Sequence, residues 1–165
     1  KEYLDIIEKL KKVKPNIKFS SDFIIGYPGE TLEDFKKTIK LMNDVEYINS
    51  YSYIFSARPG TPAFDLKKVS LDEAKERLFQ FQDLAKKIKN FYRENLIHKI
   101  TKVLFENKMK DANKYFGRDE YYNSVIVESS ENIIGLIKNV RILKGNQNTL
   151  YGEIISNINQ SNYAA

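Results

Sequence analysis

Phe19-Ser20-Ser21-Asp22-Phe23-Ile24-Ile25 runs directly into Gly26-Tyr27-Pro28-Gly29-Glu30-Thr31, and the fold is read outward from this junction. The first seven residues are a short, mostly apolar strand, which Gly26, Pro28 and Gly29 break. Thr31 with Asp34 three positions on predicts a helix start, the hydroxyl capping a backbone N–H and the carboxylate reaching back. Upstream, Tyr3, Leu4, Ile6, Ile7, Leu10 and Val13 recur at helical spacing until Pro15-Asn16 ends the pattern. Downstream, Phe35, Ile39, Leu41, Met42 and Val45 give a helix its buried stripe, and Ser50 to Phe55 alternates as a second strand. Helix–strand–helix–strand order predicts a parallel pair. The second strand also runs into a proline-glycine turn, Arg58-Pro59-Gly60-Thr61-Pro62, so both turns fall at strand C-termini, where α/β proteins place ligand sites.

Ser70 with Glu73 predicts another capping box. The stripe through Leu78, Phe79, Phe81, Leu84, Ile88, Phe91 and Leu96 predicts a long helix linking two domains. Beyond about residue 100 the period shortens to strands. They are expected over 100–106, 123–129, 133–143 and 150–155, with Gly117, Gly135, Gly145 and Gly152 at breaks or bulges. The spacing argues for a small OB-like barrel, an architecture that often holds nucleic acid. The fold class expected is α/β plus all-β, with a partial α/β half over 1–97 and a β-barrel over 98–165.

Composition narrows the chemistry. The 165 residues include no cysteine, which removes disulfides, thiolate catalysis and cysteine-ligated zinc or iron–sulfur sites from what this chain does by itself. The one histidine, His98, has no second histidine to complete a metal set or triad, and reads as structural or solvated. The net charge of +5 permits anionic partners. It divides as +3 over 1–97 (18 basic, 15 acidic) and +2 over 98–165 (9 basic, 7 acidic), so neither half forms a charged tail. No apolar stretch is long enough to span a bilayer and no signal peptide is seen, so no membrane partner and a cytoplasmic location are expected.

Four groups of residues are candidates for function. The strand end at Ile25 and Gly26 offers backbone edges with little side-chain obstruction, as a flat adenine or ribose would require; the plain alternative is a tight connection. Asp22, the one ionisable side chain in that strand, points either into a site or onto a solvated face. Glu30 has three open roles: loop anchor, substrate ligand, or partner of the helix dipole. Arg58, held extended by the proline after it, suits a fixed anion contact or an ion pair. In the barrel, Gly117, Arg118, Asp119, Glu120, Tyr121, Tyr122 and Asn123 read as a glycine-led turn joining a cation, two aromatics and an amide, a mixture that grips phosphate and stacks on bases. Lys114, Tyr115, Phe116 and Lys138 extend that face or supply core and solvated residues. Lys86, Lys87 and Lys89 form the wet side of the long helix.

The runs Ser21 to Thr31 and Phe55-Ser56-Ala57-Arg58-Pro59-Gly60-Thr61-Pro62-Ala63 resemble the radical S-adenosylmethionine methylthiotransferases. Gly117-Arg118, Tyr121, Ser124-Val125, Gly135, Val140 and Leu150-Tyr151-Gly152-Glu153 are similar to the TRAM domain of that family, a small RNA-binding barrel. The pattern looks most like the members that add a methylthio group to isopentenyladenosine beside the tRNA anticodon; a sister type acting on threonylcarbamoyladenosine shares much of it. The resemblance implies S-adenosylmethionine and 4Fe-4S clusters as cofactors of the complete enzyme. It implies that Asp22, Ile25 and Gly26 line the S-adenosylmethionine pocket, with Phe55, Ser56 and Arg58 at the neighbouring strand end and Gly117, Arg118 and Tyr121 facing tRNA. The cluster cysteines of the family are absent, so the expected partners are tRNA and an N-terminal half that carries those cysteines, and no catalytic or metal-binding residue is expected here. A stand-alone RNA-binding module or assembly subunit is the competing expectation.

Overall fold

A computed structural model describes residues 2–110 and 113–155, and all structural statements concern these. Residues 1, 111–112 and 156–165, which the expected domains include, lie outside the described residues. The chain divides into two units at Lys89/Asn90. The boundary expected at 97/98 marks where the sequence period changes. The contacts divide earlier because the last helical turn before it bonds to the barrel through Tyr92 and Arg93.

The first unit contains α1 (Glu2–Val13), β1 (Ser20–Ile25), α2 (Leu32–Val45), β2 (Asn49–Ile54), a single 3₁₀ turn at Pro62–Phe64 and most of α3 (Leu71–Glu94). β1 and β2 are parallel, with Asp22 opposite Tyr51 and Ile25 opposite Ile54. Phe23 and Ile25 alternate onto the face that the helices cover, where Ile7, Phe35, Met42, Val45, Tyr47 and Phe81 complete the core. The Phe23 ring sits 4.7 Å from Phe81 and edge-on to Tyr47 at 5.4 Å. The opposite sheet face, with Asp22, Ile24, Tyr51 and Tyr53, is exposed. Thr31 caps α2 with both halves of the expected box present.

The second unit is a closed barrel of β3 (Ile100–Lys108), β4 (Lys114–Asp119), β5 (Ser124–Glu128), β6 (Ile137–Gly145) and β7 (Leu150–Ile154), in the order β3-β4-β5-β7-β6. β5 and β7 run parallel; the other neighbours are antiparallel. Val103, Phe105, Tyr115, Val125, Val127, Ile133, Val140, Ile142 and Leu150 fill it.

Two expectations change here. Gly117 and Arg118 belong to strand β4, not to a glycine-led turn. A Cβ at Gly117 would lie 2.4 Å from the Leu104 carbonyl oxygen and 2.7 Å from Val103 Cγ1, so this glycine lets β3 and β4 approach. The strand expected from residue 133 begins at Ile137, because Gly135 (φ +79°) turns the chain while Ile133 drops into the core.

Candidate functional sites

At the strand ends of the first unit the two proline-glycine turns have the same form. Glu30 N–H donates to the Tyr27 carbonyl at 2.8 Å and Thr61 N–H to the Arg58 carbonyl at 3.3 Å. Proline stands second in each turn, and Gly29 (φ +85°) or Gly60 (φ +82°) third, the arrangement of a type II turn. The Phe55 N–H donates to the Ile25 carbonyl at 2.8 Å, which brings the two strand ends side by side. The Tyr27 and Phe55 rings meet edge-on at 5.1 Å above this junction.

The loop is fixed by a residue that the sequence reading passed over. Arg77 of α3 is 4% exposed. It donates to the Glu30 carbonyl at 3.1 Å and pairs with the Glu30 carboxylate at 2.5 Å, while its other terminal nitrogen reaches Glu73. The second Glu30 oxygen accepts the Gly26 N–H at 3.2 Å. Glu30 is therefore the loop anchor. Glu73 turns to Arg77, so the box expected at Ser70 keeps the half in which Ser70 Oγ accepts the Glu73 N–H at 3.2 Å. A contact between positions 30 and 77 leaves no local sequence signal.

The predicted residues sort accordingly. Ile25 has its side chain wholly in the core and its carbonyl engaged by Phe55, and Gly26 has its N–H engaged by Glu30. Two backbone groups at this strand end, the Ile25 carbonyl and the Gly26 N–H, are thus paired within the protein. Asp22 lies on the open sheet face, exposed, beside Tyr51. Phe55 is half-buried at the junction, and Ser56 and Arg58 are exposed beyond it.

In the barrel, buried Asp119 organises the turn between β4 and β5. Its carboxylate accepts the N–H groups of Tyr121 and Asn123, each at 2.9 Å, and the Asn123 side-chain amide at 2.8 Å. The same amide donates to the Tyr92 hydroxyl at 3.2 Å. Burial pushes the Tyr92 phenol up to about 12. Next to it, Arg93 donates to the carbonyls of Asn146 (2.7 Å) and Asn148 (3.1 Å) at the tip of the β6–β7 hairpin. Burial also lowers the Arg93 pKa. The groove beside Arg93 measures about 220 Å³, below the roughly 300 Å³ at which ligand pockets begin. Arg93 is therefore a clamp on the hairpin.

Gly117 is buried inside the strand pair and Tyr121 is half-buried over the turn. Arg118 is accessible on the outer face. It lies 3.5 Å from Glu106 and 5.3 Å over the Phe116 ring. Strand register sets Phe116, Ile126, Tyr151 and Lys144 in one row across β4, β5, β7 and β6, with Lys144 5.5 Å over the Tyr151 ring. Tyr115 is in the core, and Lys138 lies at the opposite end of β6 from Lys144, in register with Val103 of β3, so neither extends that row.

A cysteine-held cluster does not fit this chain. It has no cysteine, and among the described residues no three of His, Asp or Glu gather as metal ligands. His98 is exposed, its N–H donating to the Ile142 carbonyl at 2.7 Å. Among the described residues no helix is long and apolar enough to cross a membrane.

The closed five-stranded barrel has a family counterpart: residues 97–155 match the family described as TRAM domain. Over most of its length the chain is a homologue of proteins named tRNA-2-methylthio-N(6)-dimethylallyladenosine synthase. That of Pelagibacter ubique is 50% identical over 155 residues, covering 93% of this chain and 34% of the relative. Those of Wolbachia pipientis from Culex pipiens and of Buchnera aphidicola are 44% and 42% identical, over 92% of this chain and 35% and 34% of theirs. The chain thus spans about a third of the length of these relatives.

Proposed function

We propose that this chain serves a tRNA methylthiotransferase that acts on N6-isopentenyladenosine, furnishing a wall beside the S-adenosylmethionine pocket and a grip on tRNA. The observation that carries the reading is the match of nearly the whole chain, α/β unit and barrel alike, to synthases of that name. It is supported by an open β1–β2 face with accessible Asp22, Tyr51 and Tyr53, and by a barrel whose outer face sets cations over aromatic rings. In the complete enzyme an iron–sulfur cluster supplies the radical chemistry, and its cysteine ligands would come from outside these 165 residues. The residues here bind and orient. Asp22, Ser56 and Arg58 are the side chains free to meet polar groups of a ligand, whereas Ile25 and Gly26 hold the strand end in place. Arg118 offers a phosphate contact.

Titration of tRNA binding against salt tests the reading. The intact chain is expected to bind with an affinity that falls as salt rises, and Arg118→Ala is expected to reduce the log–log slope by about 1. Salt-independent binding, or a slope that the substitution leaves unchanged, would refute the barrel contact.

A further inference from the structure

Tyr122 is the most exposed aromatic side chain among the described residues, at 76%. Its backbone is also left-handed, at φ +60°, a conformation that a residue with a Cβ adopts at a cost and that glycine or asparagine adopts readily. The turn around it is held by hydrogen bonds on every side. The Tyr122 N–H donates to the Asp119 carbonyl at 3.0 Å, the N–H groups on either side of it are held by the buried Asp119 carboxylate, and Asp119 N–H returns to the Asn123 carbonyl at 3.2 Å. Folding gains little from a ring so exposed, while the backbone bears the strain. Strain of this kind, locked in by a buried network, collects at sites that bind.

The surroundings define what the ring would meet. β5 and β7 are parallel neighbours with Val125 opposite Leu150, so the Tyr122 turn and the Asn146–Thr149 hairpin emerge at the same end of the barrel. Tyr92 ties the first loop to the end of α3, and Arg93 ties the second. Both are thereby anchored to the helix end. Arg118 stands one position before Asp119, and Lys144 at the base of the hairpin. A flat aromatic face fixed in solvent, with cations within a few residues and exposed amides at Gln147 and Asn148, matches a nucleotide whose base is unpaired. A duplex would present phosphates and no free base face.

Building on the RNA-binding reading above, we propose that Tyr122 is a stacking residue for an unpaired base, held out by the Asp119–Asn123–Tyr92 network. The test uses the full chain, fluorescence anisotropy with a labelled oligoadenylate, and the same strand annealed to its complement. Tyr122→Gly is expected to melt no lower than the parent, because it relieves the left-handed strain, and yet to bind the single strand about tenfold more weakly. Tyr122→Phe keeps the stacking face and is expected to bind as the parent does. Neither change is expected to alter duplex binding. Unchanged single-strand affinity in Tyr122→Gly, an equal loss on the duplex, or a lowered melting temperature in both Tyr122→Gly and Tyr122→Asn would each overturn the proposal. If the parent chain binds neither RNA, the RNA-binding reading itself fails and takes this one with it. If the parent binds and Tyr122→Gly matches it, only the stacking role is lost.

Discussion

Gly26→Ala puts the packing of the strand-end loop to a quantitative test. Gly26 sits at φ +73°, and a Cβ built there would lie 2.9 Å from Ala74 Cβ on α3. Two costs follow. The left-handed backbone costs an alanine about 1–2 kcal/mol, and forcing a methyl into a filled space costs about 1–3 kcal/mol. A loss of about 3 kcal/mol is expected for the single substitution. The two parts separate in a double-mutant cycle. With Ala74→Gly the clashing Cβ is gone, and the next atoms, Ala74 Cα at 3.7 Å and Val69 Cβ at 4.0 Å, are at ordinary contact distance.

Ala74→Gly alone is expected to cost about 1 kcal/mol in helix propensity, with any lost packing added. In that background Gly26→Ala should cost only the backbone part, leaving a coupling of about 2 kcal/mol. Urea denaturation followed by far-UV circular dichroism gives the free energies, and hydrogen exchange at the Ile25 and Phe81 amides assigns the loss to the first unit. Additivity of the two changes within about 0.5 kcal/mol would show that no steric contact links the strand end to α3. The close approach argued from the geometry would then be wrong.

Two further outcomes follow from the ion pairs and caps. Arg77→Met is expected to cost about 3 kcal/mol by urea denaturation, since it strands the Glu30 carboxylate, whose side chain is 11% exposed. Glu73→Ala, removing a partner whose side chain is half exposed, is expected to cost under about 1 kcal/mol; equal losses would refute the assignment of Glu30 as anchor. The Thr31 hydroxyl, and then Lys37, hold the Asp34 carboxyl down from 3.8 to about 2, so it should titrate there by NMR. Because the folded pKa is the lower one, the stabilisation is complete above the unfolded value and fades as pH falls from 3.8 to about 2. The melting temperatures of the parent and Asp34→Ala should converge over that interval, and a constant difference would count against the cap.

What the sequence disclosed was local. The Thr31–Asp34 box depends on residues three apart, and the parallel β1–β2 pair on element order alone, so both could be read directly. The strand β4 was concealed because its glycine resembles a turn signal. The reason for that glycine, a carbonyl of β3 at 2.4 Å from the missing Cβ, exists only once two strands are paired. Arg77 escaped notice for the same reason, its partner lying 47 positions away. The barrel-end residues were named in sequence as one cluster, but the roles divide by strand alternation. Asp119 is buried and holds the turn, Arg118 and Tyr122 are accessible, and Gly117 is packing.

That division also explains how one helix serves two tasks. α3 buries Arg77 against the strand-end loop near its start, and near its end it places Tyr92 and Arg93 on two barrel loops. In each case a long side chain fixes loop backbone through carbonyls, a carboxylate or a bridging amide, and a loop held in this way presents its exposed residues without losing conformational freedom on binding. The strand-end loop so fixed adjoins Phe55, Ser56 and Arg58; the barrel loops so fixed carry Tyr122 and the Asn146–Asn148 tip. On the proposed function, loosening α3 at either end should therefore weaken binding at that end before it unfolds the unit. Tyr92 and Arg93 would then act as positioning residues for RNA contact although neither is itself the contact.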